Sequence, residues 1–159
     1  SIEFSVRRYF STDAQLWNGF VANANNGTFL LNRSFMDYHS SRFKDFSLMV
    51  FNKKQLVALL PAHQLNNTVY SHQGLSYGGV VVSPQVRFEI HVEVFRVLLH
   101  HLHQQHIELL HLKPIPEIYQ RYVDHSEQLI FQWLNATKVR TDIYSYIPKG
   151  KYEQPNRNR

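Results

Sequence analysis

The chain has 159 residues, 43% of them hydrophobic and 18% charged, with no cysteine and a formal charge of +5. A chain of this length buries roughly two thirds of its unfolded surface around one core, so neither a disulfide nor a metal staple is needed to fold it. Disulfide scaffolds, thiolate zinc sites and cysteine nucleophiles are excluded. No run approaches the roughly 18 consecutive apolar residues of a membrane span, and Ser1 to Phe10 lacks the apolar stretch of a signal peptide, so a soluble cytoplasmic protein is expected.

From the start of the chain, Ile2 to Tyr9 alternates Ile2, Phe4 and Val6 with polar neighbours, the period of a half-buried strand. Ser11 or Thr12 then caps a predicted helix with Leu16, Trp17, Phe20 and Val21 on one face, ended by Asn25, Asn26 and Gly27. Asn32 caps a second helix carrying Phe35, Met36 and Tyr38, and Ser40 to Lys44 reads as a loop. Strands follow over Phe46 to Phe51, Gln55 to Leu60, Asn67 to His72 and Gly79 to Val82, with turns at Asn52 to Lys54 and at Asn66 and Asn67. Pro61 ends the second of these or sets it at an edge. Gln85 to Gln105 is the longest predicted helix, with Ile90, Val94, Phe95, Leu98 and Leu102 along one face. A strand over Ile107 to Leu112, a helix from Ser126 to Trp133 and a final strand over Lys138 to Ile147 complete the order. The fold class is therefore α/β in the α+β sense, with a mixed, mostly antiparallel sheet flanked by helices on both faces. Residues 1–147 form one domain, and 148–159, polar and basic with two prolines, form a tail or a truncated linker.

Gly74, Leu75, Ser76, Tyr77 and Gly78 spell G-x-S-x-G, the nucleophile elbow of serine hydrolases. That elbow requires a helix directly after it, whereas Gly79 to Val82 continues as a β-branched run, so the hydrolase reading is set aside. Six of the ten histidines lie between His91 and His111. At about 100° per residue, His100 and His103 point away from the apolar helix face while His91 points towards it, and no H-E-x-x-H relation exists, so a closed metal site is not expected. Two polar groups lack a simple structural role. Asp37, Tyr38, His39 and Arg42 form one, and Tyr70, Ser71, His72, Gln73 and Tyr77 the other. Each joins hydrogen-bonding groups to aromatic faces beside a loop or glycines, as a substrate pocket at strand ends requires. The structural alternative is that His72 and Tyr77 are half-buried strand residues and that Arg42 pairs with Asp37 or Asp45. The strand-to-helix junction SPQVR contains no glycine, so nothing there offers the bare backbone N–H groups that hold a pyrophosphate.

The stretch NGTFLLNRSFMDYHSSRFKDFSLMVF, then LVALLPA, YSHQGLSYGGVVV and KPIPEIYQRY, resembles the amino-terminal half of bacterial GNAT-like proteins related to the FemABX aminoacyl transferases of cell-wall synthesis. The most specific elements are D-Y-H-x-x-R-F at Asp37 to Phe43 and S-H-Q-G-x-x-Y-G-G at Ser71 to Gly79. The resemblance implies a GNAT-like fold, and a second GNAT-like domain beyond Arg159. It further implies that this half binds the acceptor, a small molecule or an envelope or sugar-linked precursor. Asp37, Tyr38, Arg42, Gln73 and Tyr77 would bind that acceptor, and His39 and His72 would serve as catalytic bases. Acyl-CoA or aminoacyl-tRNA is the donor implied by the resemblance. No cofactor site is evident in the chain itself, since SPQVR stands where GNAT enzymes carry the Q/R-x-x-G-x-G/A pyrophosphate loop. Two further readings follow. One is an RNA- or tRNA-binding module using Tyr146, Lys149, Lys151, Tyr152, Arg157 and Arg159. The other is an interaction domain that pairs with a second half or forms a homodimer.

Overall fold

The structure is a computed structural model and describes residues 3–38, 41–71, 74–143 and 145. Its strands are β1 (Phe4–Arg8), β2 (Lys44–Asp45), β3 (Leu48–Asn52), β4 (Gln55–Leu60), β5 (His63–Leu65), β6 (Thr68–Tyr70), β7 (Val81–Val82) and β8 (Leu109–His111). Its helices are α1 (Ala14–Asn23), α2 (Arg33–Tyr38), α3 (Phe88–Gln104) and α4 (Ser126–Trp133).

Helices flank mixed, mostly antiparallel β-structure on both faces, as expected, and its strands divide into two four-stranded ladders. One has the order β1-β3-β4-β7 and is antiparallel throughout. The other has the order β2-β5-β6-β8, and its last pair is parallel, with Thr68 opposite Leu109 and Tyr70 opposite His111. The division arises where the long central hairpin bends. Pro61 has no N–H to continue the ladder, and the Ser47 hydroxyl accepts the Ala62 N–H at 3.2 Å. Phe46 N–H reaches Ala62 O at 2.9 Å across the bend. Lys53 and Asn66 take positive φ at the two hairpin turns, as turn residues must.

Period-two alternation then sorts the side chains onto two faces. Leu48, Val50, Ala58 and Leu60 pack against Val94, Phe95, Leu98 and Leu102 of α3 and Ile130 of α4. Met49, Leu59 and Val81 face the other way, against Trp17 and Val21 of α1 and Met36 of α2. Each such fully buried aliphatic side chain contributes about 1.5–3 kcal/mol. Trp17 is wholly buried and its indole N–H bonds Leu31 O at 2.8 Å, which satisfies the ring's one polar atom.

Several element boundaries differ from the sequence reading. Ser11–Asp13 is a 3-10 turn before α1, and the Asp13 carboxylate accepts two bonds from Arg7, at 2.7 and 2.8 Å, and one from Phe10 N–H. Gln85 has φ +55°, which a right-handed helix does not permit, so α3 begins at Phe88. β2 and β5 were not expected. No strand forms over 138–143, where Val139 and Ile143 are 70% and 93% exposed. Tyr144, Tyr146 and Ile147 of that predicted strand, and the tail 148–159, lie outside the described residues.

Candidate functional site

Among the described residues, the two polar groups approach each other where their turns touch. A Cβ placed on Gly74 would lie 2.6 Å from the Phe43 ring, so the turns carrying them are in contact. His39, His72 and Gln73 lie outside the described residues. Tyr38 is 84% exposed at the end of α2, and Arg42 is exposed in the following turn, without an ion pair among the described residues. Asp37 is committed elsewhere: it accepts Arg33 Nη2 at 2.6 Å, one turn earlier on α2. Tyr77 is buried in the core beneath α1 and α2, with its ring 5.1 Å from that of Tyr119. The carboxylates suggested for Arg42 are held by Arg33 instead, since Asp45 also pairs with it.

Arg33 is the buried cation that organises this corner. Its guanidinium also donates to Ser47 Oγ at 3.2 Å and lies 3.8 Å from the centre of the Tyr9 ring. Burial acts to raise the Asp45 carboxyl, but the charge and hydrogen bond of Arg33 and the bonds from Ser47 outweigh it and hold the group below its usual value. Nearby, Phe43, His63, Tyr70 and His111 form a row of ring contacts across the second ladder, at 4.8, 5.3 and 5.5 Å in turn. Asp45 opposite His63, His63 opposite Tyr70 and Tyr70 opposite His111 set that row by register.

A second polar site was not foreseen. Beyond the end of β7, a chamber of about 20 Å³ is walled by Asn25, Asn26, His91, Gln120, Asp124 and Glu127. His91, on the first turn of α3, is 3% exposed and faces inward, as its helical phase required. Neither of its ring nitrogens has a hydrogen-bond partner, and Nδ1 stands 3.9 Å from Asp124 Oδ2. Burial lowers the imidazole, and the Asp124 charge only partly offsets it. Burial, and then the Asp124 charge, push the Glu127 carboxyl up to about 8.

The same region is where a nucleotide-bearing acyl donor would be tested for fit. Ser83 to Arg87 joins β7 to α3 without a glycine. The free edge of β7 is filled by the chain itself: Asn26 Nδ2 donates to Val80 O at 2.9 Å, Val82 N–H donates to Asn26 Oδ1 at 3.0 Å, and Asn25 N–H donates to Val82 O at 2.9 Å. These residues do not fit a pyrophosphate on the turn or an extended chain along the strand. A shallow groove of about 190 Å³ opens instead between α1 and the turn that follows it, bordered by Asn18, Thr28, Phe29 and Asn32.

Helices on both faces of an antiparallel meander, followed by a long helix and a strand that returns in parallel, make up the fold of the GNAT N-acetyltransferases. An aminoglycoside N-acetyltransferase solved with a CoA bisubstrate analogue superposes with a TM-score of 0.56 at 12% identity, over 92% of this chain and 99% of that one. An aminoglycoside 6′-N-acetyltransferase of Acinetobacter baumannii gives 0.52 at 12% identity, over 93% and 100%. A ribosomal-protein alanine N-acetyltransferase of Escherichia coli gives 0.54 at 12% identity, over 83% and 76%. No family profile matches the chain, and no curated protein matches it by sequence. Among the described residues no helix is long and apolar enough to cross a membrane.

Proposed function

We propose that this chain is an acyltransferase-type GNAT domain whose part is to hold the acceptor, the acyl donor being carried by a second GNAT-like domain of a FemABX-like pair. The observation that carries this reading is the filled β7 edge beside a glycine-free turn, which leaves no cradle for a donor pyrophosphate. The acceptor is a small molecule or an envelope or sugar-linked precursor bearing an amine or hydroxyl. Arg42, with its planar fork exposed, suits a phosphate or carboxylate on that precursor. Tyr38 and Gln73 would flank it, and His39 or His72 would take the proton of the attacking group. Asp37 and Tyr77 serve this site by shaping it, through Arg33 and through the core.

The test measures acyl transfer from CoA-linked and tRNA-linked donors to a panel of amine and sugar acceptors, with this chain alone and joined to the proposed second domain. Calorimetry of acetyl-CoA with the chain alone accompanies it. The expected result is turnover only with the second domain, acceptor binding that is lost in Arg42→Ala, and no heat from acetyl-CoA. Saturable acetyl-CoA binding with turnover by the chain alone would overturn the division of labour.

A further inference from the structure

The groove beside α1 exists because of Gly27, which lies so close to the helix that a Cβ there would stand 2.0 Å from Val21 O; the bare backbone lets the chain fold back along α1. Val21 and Ala22 give the groove an apolar lining, and Phe29 adds an aromatic ring that is 73% exposed. That ring is held in place: it begins the 3-10 turn Phe29–Leu31 and meets the Phe35 ring edge to face at 5.7 Å. Two side-chain amides complete the lining. Asn18 Oδ1 accepts the Arg33 N–H at 2.8 Å, and Asn32 Oδ1 accepts the Ser34 N–H at 3.1 Å and the Ser34 hydroxyl at 2.8 Å. With both oxygens engaged, the two Nδ2 groups are left as donors without partners among the described residues. The Thr28 hydroxyl also lacks a partner, but it is buried and out of a guest's reach. No charged side chain lines the groove among the described residues.

We propose that this groove binds one neutral pyranose ring, with the C–H face of the sugar against Phe29 and its oxygens against the amides of Asn18 and Asn32. Each sugar hydroxyl carries one proton and two lone pairs, and the ring oxygen carries lone pairs only. Such a ligand offers acceptors in excess, which matches a lining whose open polar groups donate. A carboxylate or phosphate would bring a charge that no lysine or arginine of the groove neutralises. A wholly apolar guest would strip water from the two amides and return no hydrogen bond. The volume of about 190 Å³ falls below the roughly 300–1,000 Å³ of pockets that enclose a drug-sized ligand, so the groove takes a single ring. It shares no lining residue with the group around Tyr38 and Arg42, so the site goes beyond the acyltransferase reading and does not depend on it.

The experiment titrates the ¹⁵N-labelled chain with methyl β-glucopyranoside, methyl β-galactopyranoside and methyl N-acetyl-β-glucosaminide in turn. It follows the side-chain amide signals of Asn18 and Asn32 and the backbone N–H of Phe29. Sorbitol, which has the hydroxyls without the ring, and adenosine, which has a flat base, serve as controls. At least one pyranoside is expected to move these signals saturably while sorbitol does not. Phe29→Ala is expected to weaken that response by about tenfold, as for loss of a ring contact. Asn32→Asp, which keeps the acceptor for Ser34 and removes the donor, is expected to weaken it several-fold. The backbone amide spectrum reports that each variant remains folded. No saturable shift with any of the three pyranosides, or equal shifts with sorbitol, would overturn the proposal. Tighter binding of adenosine than of every pyranoside would overturn it in favour of base stacking. An unchanged pyranoside response in either folded variant would overturn it as well.

Discussion

Replacing Arg33 by methionine removes the charge at the α2 corner while retaining an unbranched side chain to fill the space between Tyr9 and Trp17. The Arg33 side chain is 4% exposed, but those of Asp37 and Asp45 are 49% and 39% exposed, so both carboxylates regain water when the guanidinium goes. Each pair is therefore worth about 0.5–1 kcal/mol rather than a full buried-pair loss. The bond to Ser47 Oγ adds about 1.5 kcal/mol, as for a charged donor. The cation over the Tyr9 ring adds about 1 kcal/mol. Relief from burying the guanidinium offsets about 1–2 kcal/mol. Arg33→Met should thus destabilise by about 1.5–3.5 kcal/mol at pH 7, read from urea unfolding with an unchanged slope. The sign of its pH dependence follows from Asp45. A carboxyl held below its unfolded value of 3.8 contributes stability that is fully present above that value and is lost as the pH falls through its folded pKa. The gap between wild type and Arg33→Met should therefore shrink as the pH drops below about 4. A loss under about 1 kcal/mol at pH 7, or a gap that grows on acidification, would refute this account of the corner.

Other outcomes follow from single groups. Glu127 has its carboxyl raised from 4.5 to about 8, so the folded state binds the extra proton and stability should decline as the pH rises through that interval. Glu127→Gln should flatten the decline, as read from urea midpoints taken between pH 5 and pH 8. Gly78→Ala would place a Cβ 2.4 Å from Ser71 O, a backbone atom that cannot swing aside, and should cost at least about 2 kcal/mol in thermal or urea unfolding. Gly19→Ala, in exposed α1 with nothing within 4 Å, should instead stabilise by about 0.5–1 kcal/mol. The pair separates clash from propensity within one protein.

The elements that sequence located well are those whose side chains obey one clear period. β4 was placed residue for residue because Gln55 to Leu60 is bounded by a lysine turn and Pro61. The inward phase of His91 was legible from α3 alone. The chamber it faces was not, because Asp124 and Glu127 come from a distant turn and helix that only the closed fold brings to it. β5 was missed because His63, Gln64 and Leu65 carry no alternation of their own and gain strand geometry from β2 and β6. The opposite failure is 138–143, where Val139, Thr141 and Ile143 alternate as a strand does but no strand among the described residues pairs with them. Alternation predicts a surface fit to be paired, and pairing needs a partner. At the candidate site, sequence marked Asp37 and Tyr77 as polar residues without employment. Arg33 and Tyr119, which employ them, act through contacts that one-dimensional spacing shows only for the i,i+4 pair of Arg33 and Asp37.

Asn26 is followed directly by Gly27, the dipeptide in which a side-chain amide is most readily lost, because the small next residue lets its backbone nitrogen attack the side-chain carbonyl. Here both polar atoms of that amide are bonded, Nδ2 to Val80 O and Oδ1 to Val82 N–H, so the side chain is held in place and attack requires those bonds to break first. The bond pattern thus acts as a chemical preservative. Each excursion to the unfolded state releases the amide, and conversion to a carboxylate would set an oxygen against Val80 O where an N–H had been. The age of a preparation would then be written as a one-unit mass gain at this residue, accumulating in proportion to the time spent unfolded.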